Sequence, residues 1–155
     1  MNVVLVAPEI PPNTGNIIRL CANTGARLHL VKPLGFPLDD AKMRRAGLDY
    51  HEYASMKVYE NWQDFRNQCQ PEPTRLFALT TRGRKRVFDA TFQPGDWLVF
   101  GNESSGLPDS IRADIGIDHW LRLPMRPDNR SLNLSNAVAI TVFEVWRQTG
   151  FEGAV

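Results

Sequence analysis

The chain of 155 residues is 43% hydrophobic and 23% charged, which predicts a single globular domain over residues 1–155 and excludes a disordered protein. A formal net charge of +1 provides no overall basic field for nucleic acid, and two cysteines are too few for a zinc-ligand framework. The first residues lack both the basic region of a signal peptide and the length of a membrane span. We therefore expect a soluble cytoplasmic protein with no membrane partner.

Short apolar runs alternate with helical patterns along the chain. The predicted strands are residues 3–7, 28–31, 76–80, 97–100 and 120–123. The first predicted helix starts at residue 17 and ends before Gly25. The other predicted helices cover residues 38–47, about 59–69, 108–115 and about 134–149. We predict a rigid loop at residues 8–16 and an exposed basic turn at residues 82–86. The secondary structure of residues 50–53 is ambiguous from the sequence. This alternation predicts an α/β fold, a mostly parallel sheet with helices on both faces.

Three of the predicted strands end in small or polar residues. The strand ends are 79–81, 101–103 and 123–125. Ligands of open α/β sheets bind beyond the carboxyl ends of the strands. These three segments are therefore candidates for lining one crevice.

Residues 121–136 form the most informative stretch, a strand end followed by a polar loop and the start of the last helix. Ser131 and Asn133 precede the apolar run of that helix, and such side chains can cap a helix by accepting from its free N–H groups. Arg126 and Arg130 lie beside them. Because a helix start also offers donors to an anion, this combination favours a ligand site over a plain cap.

Two further positions keep two interpretations open. Arg19 follows the turn-rich segment 11–16, and its guanidinium suits a phosphate or another oxyanion, or simply an acidic neighbour on the surface. Glu103, the one acid in residues 101–106, is suited either to orienting a cation or to favouring the helix start that follows.

The usual nucleotide fingerprints and hydrolase motifs are absent, and the three histidines have no partners at ligand spacing, so a metal site is not expected. The basic residues instead form clusters. These are Lys42, Arg44 and Arg45; Arg82, Arg84, Lys85 and Arg86; and Arg122, Arg126 and Arg130. In a chain of net charge +1 such clusters indicate one positive side, as an RNA-binding surface requires, although a solvated face is the alternative.

Taken together, the motifs resemble those of the SPOUT RNA methyltransferases. The resemblance rests on Asn13-Thr-Gly-Asn-Ile-Ile-Arg19, on Phe100-Gly-Asn-Glu-Ser-Ser-Gly-Leu107, and on Leu123-Pro-Met125 followed by Arg130-Ser-Leu-Asn-Leu-Ser-Asn-Ala137. Residues 21–25, 44–51 and 76–81 are similar to the small branch that methylates the ribose 2′-oxygen of nucleotide 34, cytidine or uridine, in tRNA. The similarity covers nearly the whole chain.

The resemblance implies a deep trefoil knot near the C-terminus, S-adenosylmethionine as methyl donor without a metal, and a homodimer whose active site contains residues of both subunits. It also implies roles for individual residues. The cofactor-binding residues are Leu79, Thr80, Gly101, Glu103, Leu123, Met125 and Ser131. The catalytic residues are Arg19, Ser131 and Asn133, and the residues that bind the tRNA anticodon stem-loop are Arg19, Arg126 and Arg130. Phe143 stands where close relatives are expected to have Tyr.

Two other functions are alternatives: a base methyltransferase of the same superfamily, and a catalytically silent RNA-binding dimer. The last helix favours a dimer in either case. It is apolar around most of its circumference, with a narrow polar strip through Thr141, Glu144 and Gln148. A helix of this kind must be covered on more than one side, and a second copy of the chain is the simplest cover.

Overall fold

A computed structural model describes all residues from Met1 to Val155, and its centre is a sheet of seven strands in the order β3-β2-β1-β6-β4-β7-β5. The strands are β1 (Asn2–Val6), β2 (Arg27–Val31), β3 (Lys57–Tyr59), β4 (Leu76–Leu79), β5 (Lys85–Arg86), β6 (Trp97–Phe100) and β7 (Trp120–Arg122). All six strand pairings are parallel. The α/β class with a parallel sheet is therefore confirmed.

The chain has six α-helices, of which the first five lie between strands and the last follows β7. They are α1 (Pro11–Thr24), α2 (Asp40–Arg45), α3 (Tyr50–Tyr53), α4 (Trp62–Cys69), α5 (Asp109–Ile115) and α6 (Leu134–Gln148). No helix has both the length and the apolar sequence needed to cross a bilayer.

Because side chains alternate between the two faces of a strand, β1 contributes Val3 and Leu5 to one core and Val4 and Val6 to another. The first core lies against α1 and α6 and the second against α4 and α5, so helices cover both faces.

Three predictions about elements were wrong. Residues 11–16 belong to α1 and not to a loop, because proline fits the first turn of a helix, where its missing N–H has no partner to lose. Strand β3 was missed, and helix α4 begins after it, at Trp62. The basic segment 82–86 is not only a turn, since Lys85 and Arg86 pair with β7 at the edge of the sheet. Gly25 ends α1 in the left-handed conformation, as predicted.

Candidate functional site

A cavity of about 720 Å³ opens at the carboxyl edge of the sheet. Its walls are the residues that follow β4, β6 and β7, together with the start of α6. The three strand ends identified in the sequence thus line one crevice, because parallel strands bring their carboxyl ends to the same edge. The cavity is large enough for a nucleoside-sized ligand, since small-molecule sites typically measure about 300–1,000 Å³.

The loop between β6 and α5 forms one wall. It closes on itself through an isolated bridge between Asn102 and Gly106, and the Asn102 side chain accepts from the backbone N–H (2.8 Å) and the hydroxyl (2.9 Å) of Ser105. A Cβ atom on Gly101 would lie 2.0 Å from the backbone carbon of Gly106. Glycine is therefore required at position 101 by the folding of this loop, before any approach of a ligand is considered.

Glu103 joins this wall to the first helix. Its carboxylate accepts from the backbone N–H of Glu9 (2.8 Å) and of Ile10 (3.0 Å), and from the side-chain amide of Asn13 (3.3 Å). Burial alone would raise the pKa of Glu103, but these donors outweigh it, and the pKa lies below its ordinary value. The carboxylate thus serves the start of α1 and not that of α5, the helix that follows it in the chain.

Asn133 extends the same polar junction to the last helix. Its side-chain NH₂ donates to the side-chain oxygen of Asn13 at 2.9 Å, and its own oxygen accepts from the N–H (2.9 Å) and the hydroxyl (2.6 Å) of Ser135. The predicted cap of α6 is thereby confirmed. One chain of hydrogen bonds, from Glu103 through Asn13 to Asn133, connects the three segments that carried the sequence resemblance.

Most of the predicted site residues line this cavity. They are Leu79, Thr80, Gly101, Glu103, Leu123, Met125, Arg130, Ser131 and Asn133. Ser131 is exposed, and its hydroxyl makes no hydrogen bond within the chain, so it is free to bind a ligand. Arg126 is exposed on the same loop but does not line the cavity.

Arg19 also lies outside the cavity, on α1. Its Nε donates to the Glu52 carboxylate at 2.9 Å, and its Nη2 donates to the carbonyl of Gly47. The acidic neighbour that one of the two interpretations of Arg19 included is therefore present, and it is Glu52. The role of Arg19 in binding RNA remains a prediction, and within one chain this arginine does not reach the cavity.

Asn13 and Arg112 were not predicted as site residues. Asn13, which lies within the first motif, does not line the cavity but bonds to Glu103 and Asn133 in its wall. Arg112 is 6% exposed, lines the cavity and donates to the Leu107 carbonyl at 2.9 Å. Sequence gives no signal for it, because its position beside the cavity follows from the packing of α5. No group of three or more His, Cys, Asp or Glu side chains is arranged to hold a metal ion.

A parallel sheet with a ligand-sized cavity at the carboxyl ends of its strands defines an α/β protein of the kind that binds a small molecule or cofactor at that edge. The model of the SpoU rRNA Methylase family matches residues 1–143, and the chain belongs to this family. The resemblance inferred from the motifs is thus confirmed.

The chain is similar over its whole length to named enzymes. It is 67% identical over 152 residues to a tRNA (cytidine(34)-2′-O)-methyltransferase of Burkholderia ambifaria, covering 98% of this chain and 97% of the relative. It is 53% identical over 155 residues to the Escherichia coli protein of the same description, covering 100% of this chain and 98% of the relative.

Solved structures agree with the family assignment. A putative RNA methyltransferase from Bacillus anthracis superposes with a TM-score of 0.90 at 42% identity, covering 98% of this chain and 96% of the other. A structure concerned with 2-OH methylation of C/U34 on tRNA has a TM-score of 0.85 at 40% identity, covering 96% and 90%. The methyltransferase AviRb from Streptomyces viridochromogenes, in complex with AdoMet, has a TM-score of 0.81 at 25% identity, covering 96% and 57%.

Proposed function

We propose that this protein transfers a methyl group from S-adenosylmethionine to the ribose 2′-oxygen of nucleotide 34, cytidine or uridine, in tRNA. One observation carries the proposal: a single cavity is lined by two of the motif segments and is joined to the third through the hydrogen bonds of Asn13 to Glu103 and Asn133. The chain that forms it is 53–67% identical to enzymes described by this reaction. The base methyltransferase and the silent RNA-binding protein are less well supported. The descriptions of both relatives name an enzyme that methylates the 2′-oxygen, and not a base, of cytidine 34.

The residues of the cavity fit this cofactor. Apolar side chains, among them Leu79, Leu123 and Met125, offer surfaces for an adenine ring, while the free hydroxyl of Ser131 offers polar contacts. When bound, the cofactor would supply a methyl group on a sulfonium. Transfer to the ribose would break the C–S bond, form a C–O bond and release the hydroxyl proton to solvent water. These side chains act by holding the two reactants in line, which can contribute about 7–11 kcal/mol to lowering the barrier.

The remaining predicted residues divide into two roles. Both polar atoms of the Asn133 amide are used inside the chain, so Asn133 acts as a positioning residue for the cavity wall. Arg19 is a poor proton acceptor, because a guanidinium stays protonated in proteins. It serves instead to bind a phosphate next to the target ribose and to stabilise negative charge on the 2′-oxygen.

Because Arg19 does not reach the cavity of its own chain, the proposed active site is shared between two copies of the protein. Arg126 and Arg130, exposed on the loop beside the cavity, contact the anticodon stem-loop. The cytoplasm, where tRNA is modified, is the proposed location, and the deep trefoil knot remains part of the expected SPOUT topology.

Nucleoside analysis of tRNA from a deletion strain tests this function. We expect the 2′-O-methyl group at position 34 to be lost and to return when the gene is restored. Transfer by the purified protein to unmethylated tRNA in the presence of EDTA tests the cofactor and the independence from metal. Loss of a methyl group from a base, or no change in the tRNA, would contradict the proposal.

A further inference from the structure

The guanidinium of Arg19 is held along one edge and free along the other. Its Nε and Nη2 donate to Glu52 and to the Gly47 carbonyl, while Nη1 has no partner in the chain. The Arg19 side chain is 52% exposed, whereas that of Glu52 is only 10% exposed. An arginine fixed in this way presents donors to solvent with little freedom to turn, which reduces the entropy lost on binding an oxyanion.

Glu52 is itself fixed. The carboxylate oxygen that does not contact Arg19 accepts from the backbone N–H of Asp49 at 2.6 Å, at the start of α3. Helix α3 packs beside α1, so one carboxylate spans both elements. The Arg19 guanidinium and the adjacent N–H group lower the pKa of Glu52, which keeps it ionised at neutral pH.

A negative charge beside an RNA-binding arginine weakens its attraction for phosphate, so an acid here has a cost for binding. We propose that Glu52 is a positioning residue for methyl transfer: it fixes the Arg19 guanidinium and leaves the Nη1 edge for the oxyanion of the RNA. This inference rests on the proposed function. It predicts that Glu52 favours turnover while slightly disfavouring RNA binding, a combination that a purely structural contact would not produce.

Glu52→Gln separates these effects. Glutamine at this position of a helix start still accepts from the Asp49 N–H, but its other terminal group is an NH₂ donor, which cannot accept from the Arg19 Nε as the second carboxylate oxygen does. We expect kcat for tRNA to fall about tenfold, KM for tRNA to stay equal or decrease, and S-adenosylhomocysteine affinity to stay unchanged. Asp49→Asn is the matched control, since it removes a charge near Arg19 without a contact to its guanidinium. Its kcat should stay within about twofold of the wild-type value.

A double-mutant cycle with Arg19→Lys separates an effect of Glu52 through Arg19 from a general loss of protein stability. If Glu52 acts through Arg19, Glu52→Gln has little further effect on kcat in the Arg19→Lys background. Additive losses in the cycle, or a wild-type or increased kcat for Glu52→Gln while Arg19→Lys loses turnover, would refute the positioning role. Absence of methyl transfer by the wild-type protein would instead refute the proposed function.

Discussion

At the scale of single residues, His29 is a buried histidine whose pKa lies well below its ordinary value. It is 6% exposed, and its ring nitrogens lie 2.8 Å from the Tyr59 hydroxyl and 3.3 Å from the Asn2 side-chain oxygen. The Asn2 amide nitrogen donates to the Gly95 carbonyl, so its oxygen must accept from Nε2–H of His29. In the neutral imidazole, which burial favours, Nδ1 then accepts from the Tyr59 hydroxyl.

This histidine makes folding sensitive to acid. Burial, followed by the charges of Lys57 and Arg27, lowers the pKa of His29 from 6.5 to about 4. The unfolded chain therefore binds a proton that the folded chain does not, and stability falls as pH decreases from about 6.5 towards 4. We expect His29 to contribute a loss of about 2 kcal/mol between pH 7 and pH 5. Urea unfolding of the wild type and of His29→Gln at both pH values measures it. An equal pH dependence in the two proteins would contradict the assignment.

At the scale of elements, the polar junction around Glu103 holds the first helix, the β6–α5 loop and the last helix together. Glu103→Gln removes one acceptor and leaves a partly buried backbone donor without a partner. Such a loss costs about 1–3 kcal/mol. We also expect weaker binding of S-adenosylhomocysteine, because a wall of the cavity loosens.

Thermal unfolding and calorimetry with S-adenosylhomocysteine measure both effects. Glu60→Gln is the control, since the Glu60 side chain is 75% exposed and pairs only with Lys32 at the surface. That change should alter stability by less than about 0.5 kcal/mol. Equal behaviour of the two variants would show that the junction does not support the site.

The elements also show how far sequence determines this site. The crevice was predictable, because parallel strands bring their carboxyl ends together and small polar residues follow three of them. The hydrogen bonds of Glu103 were not, because its partners lie 90 to 94 residues away in the chain. Strand β3 escaped because it has three residues, two of them exposed, and so no alternating pattern.

At the scale of the whole molecule, α6 presents its apolar residues in an unexpected direction. The predicted polar strip does not face solvent: Thr141 and Glu144 are buried, and Gln148 bonds to the backbone of Ala90 and Phe92. One apolar side packs with α1 in the core through Val138, Val142 and Val145. The large apolar side chains of α6 that stay exposed to solvent are Ile140, at 39%, and Phe143, at 47%.

This exposed apolar surface continues beyond the helix. Phe143 packs edge-on against Trp146 with centroids 5.7 Å apart, and Trp146 packs against Phe151 at 5.4 Å. Phe151 is 43% exposed. Contiguous exposed apolar side chains of this kind mark an association surface more often than a solvated one. Because the start of α6 lines the cavity, a second copy of the chain covering α6 would bring residues of one subunit towards the cavity of the other, as the proposed role of Arg19 needs.

We therefore expect a homodimer through α6, with Phe143 at its interface. Phe143→Glu should produce a monomer at low micromolar concentration, because a charge would be buried without a partner, and methyl transfer should be lost with it. Phe88→Glu is the matched control, since Phe88 is also 47% exposed but lies outside α6 and the aromatic group. It should remain dimeric and active. Sedimentation and transfer assays on the same samples decide the matter, and a wild-type monomer with full activity would refute both the dimer and the shared active site.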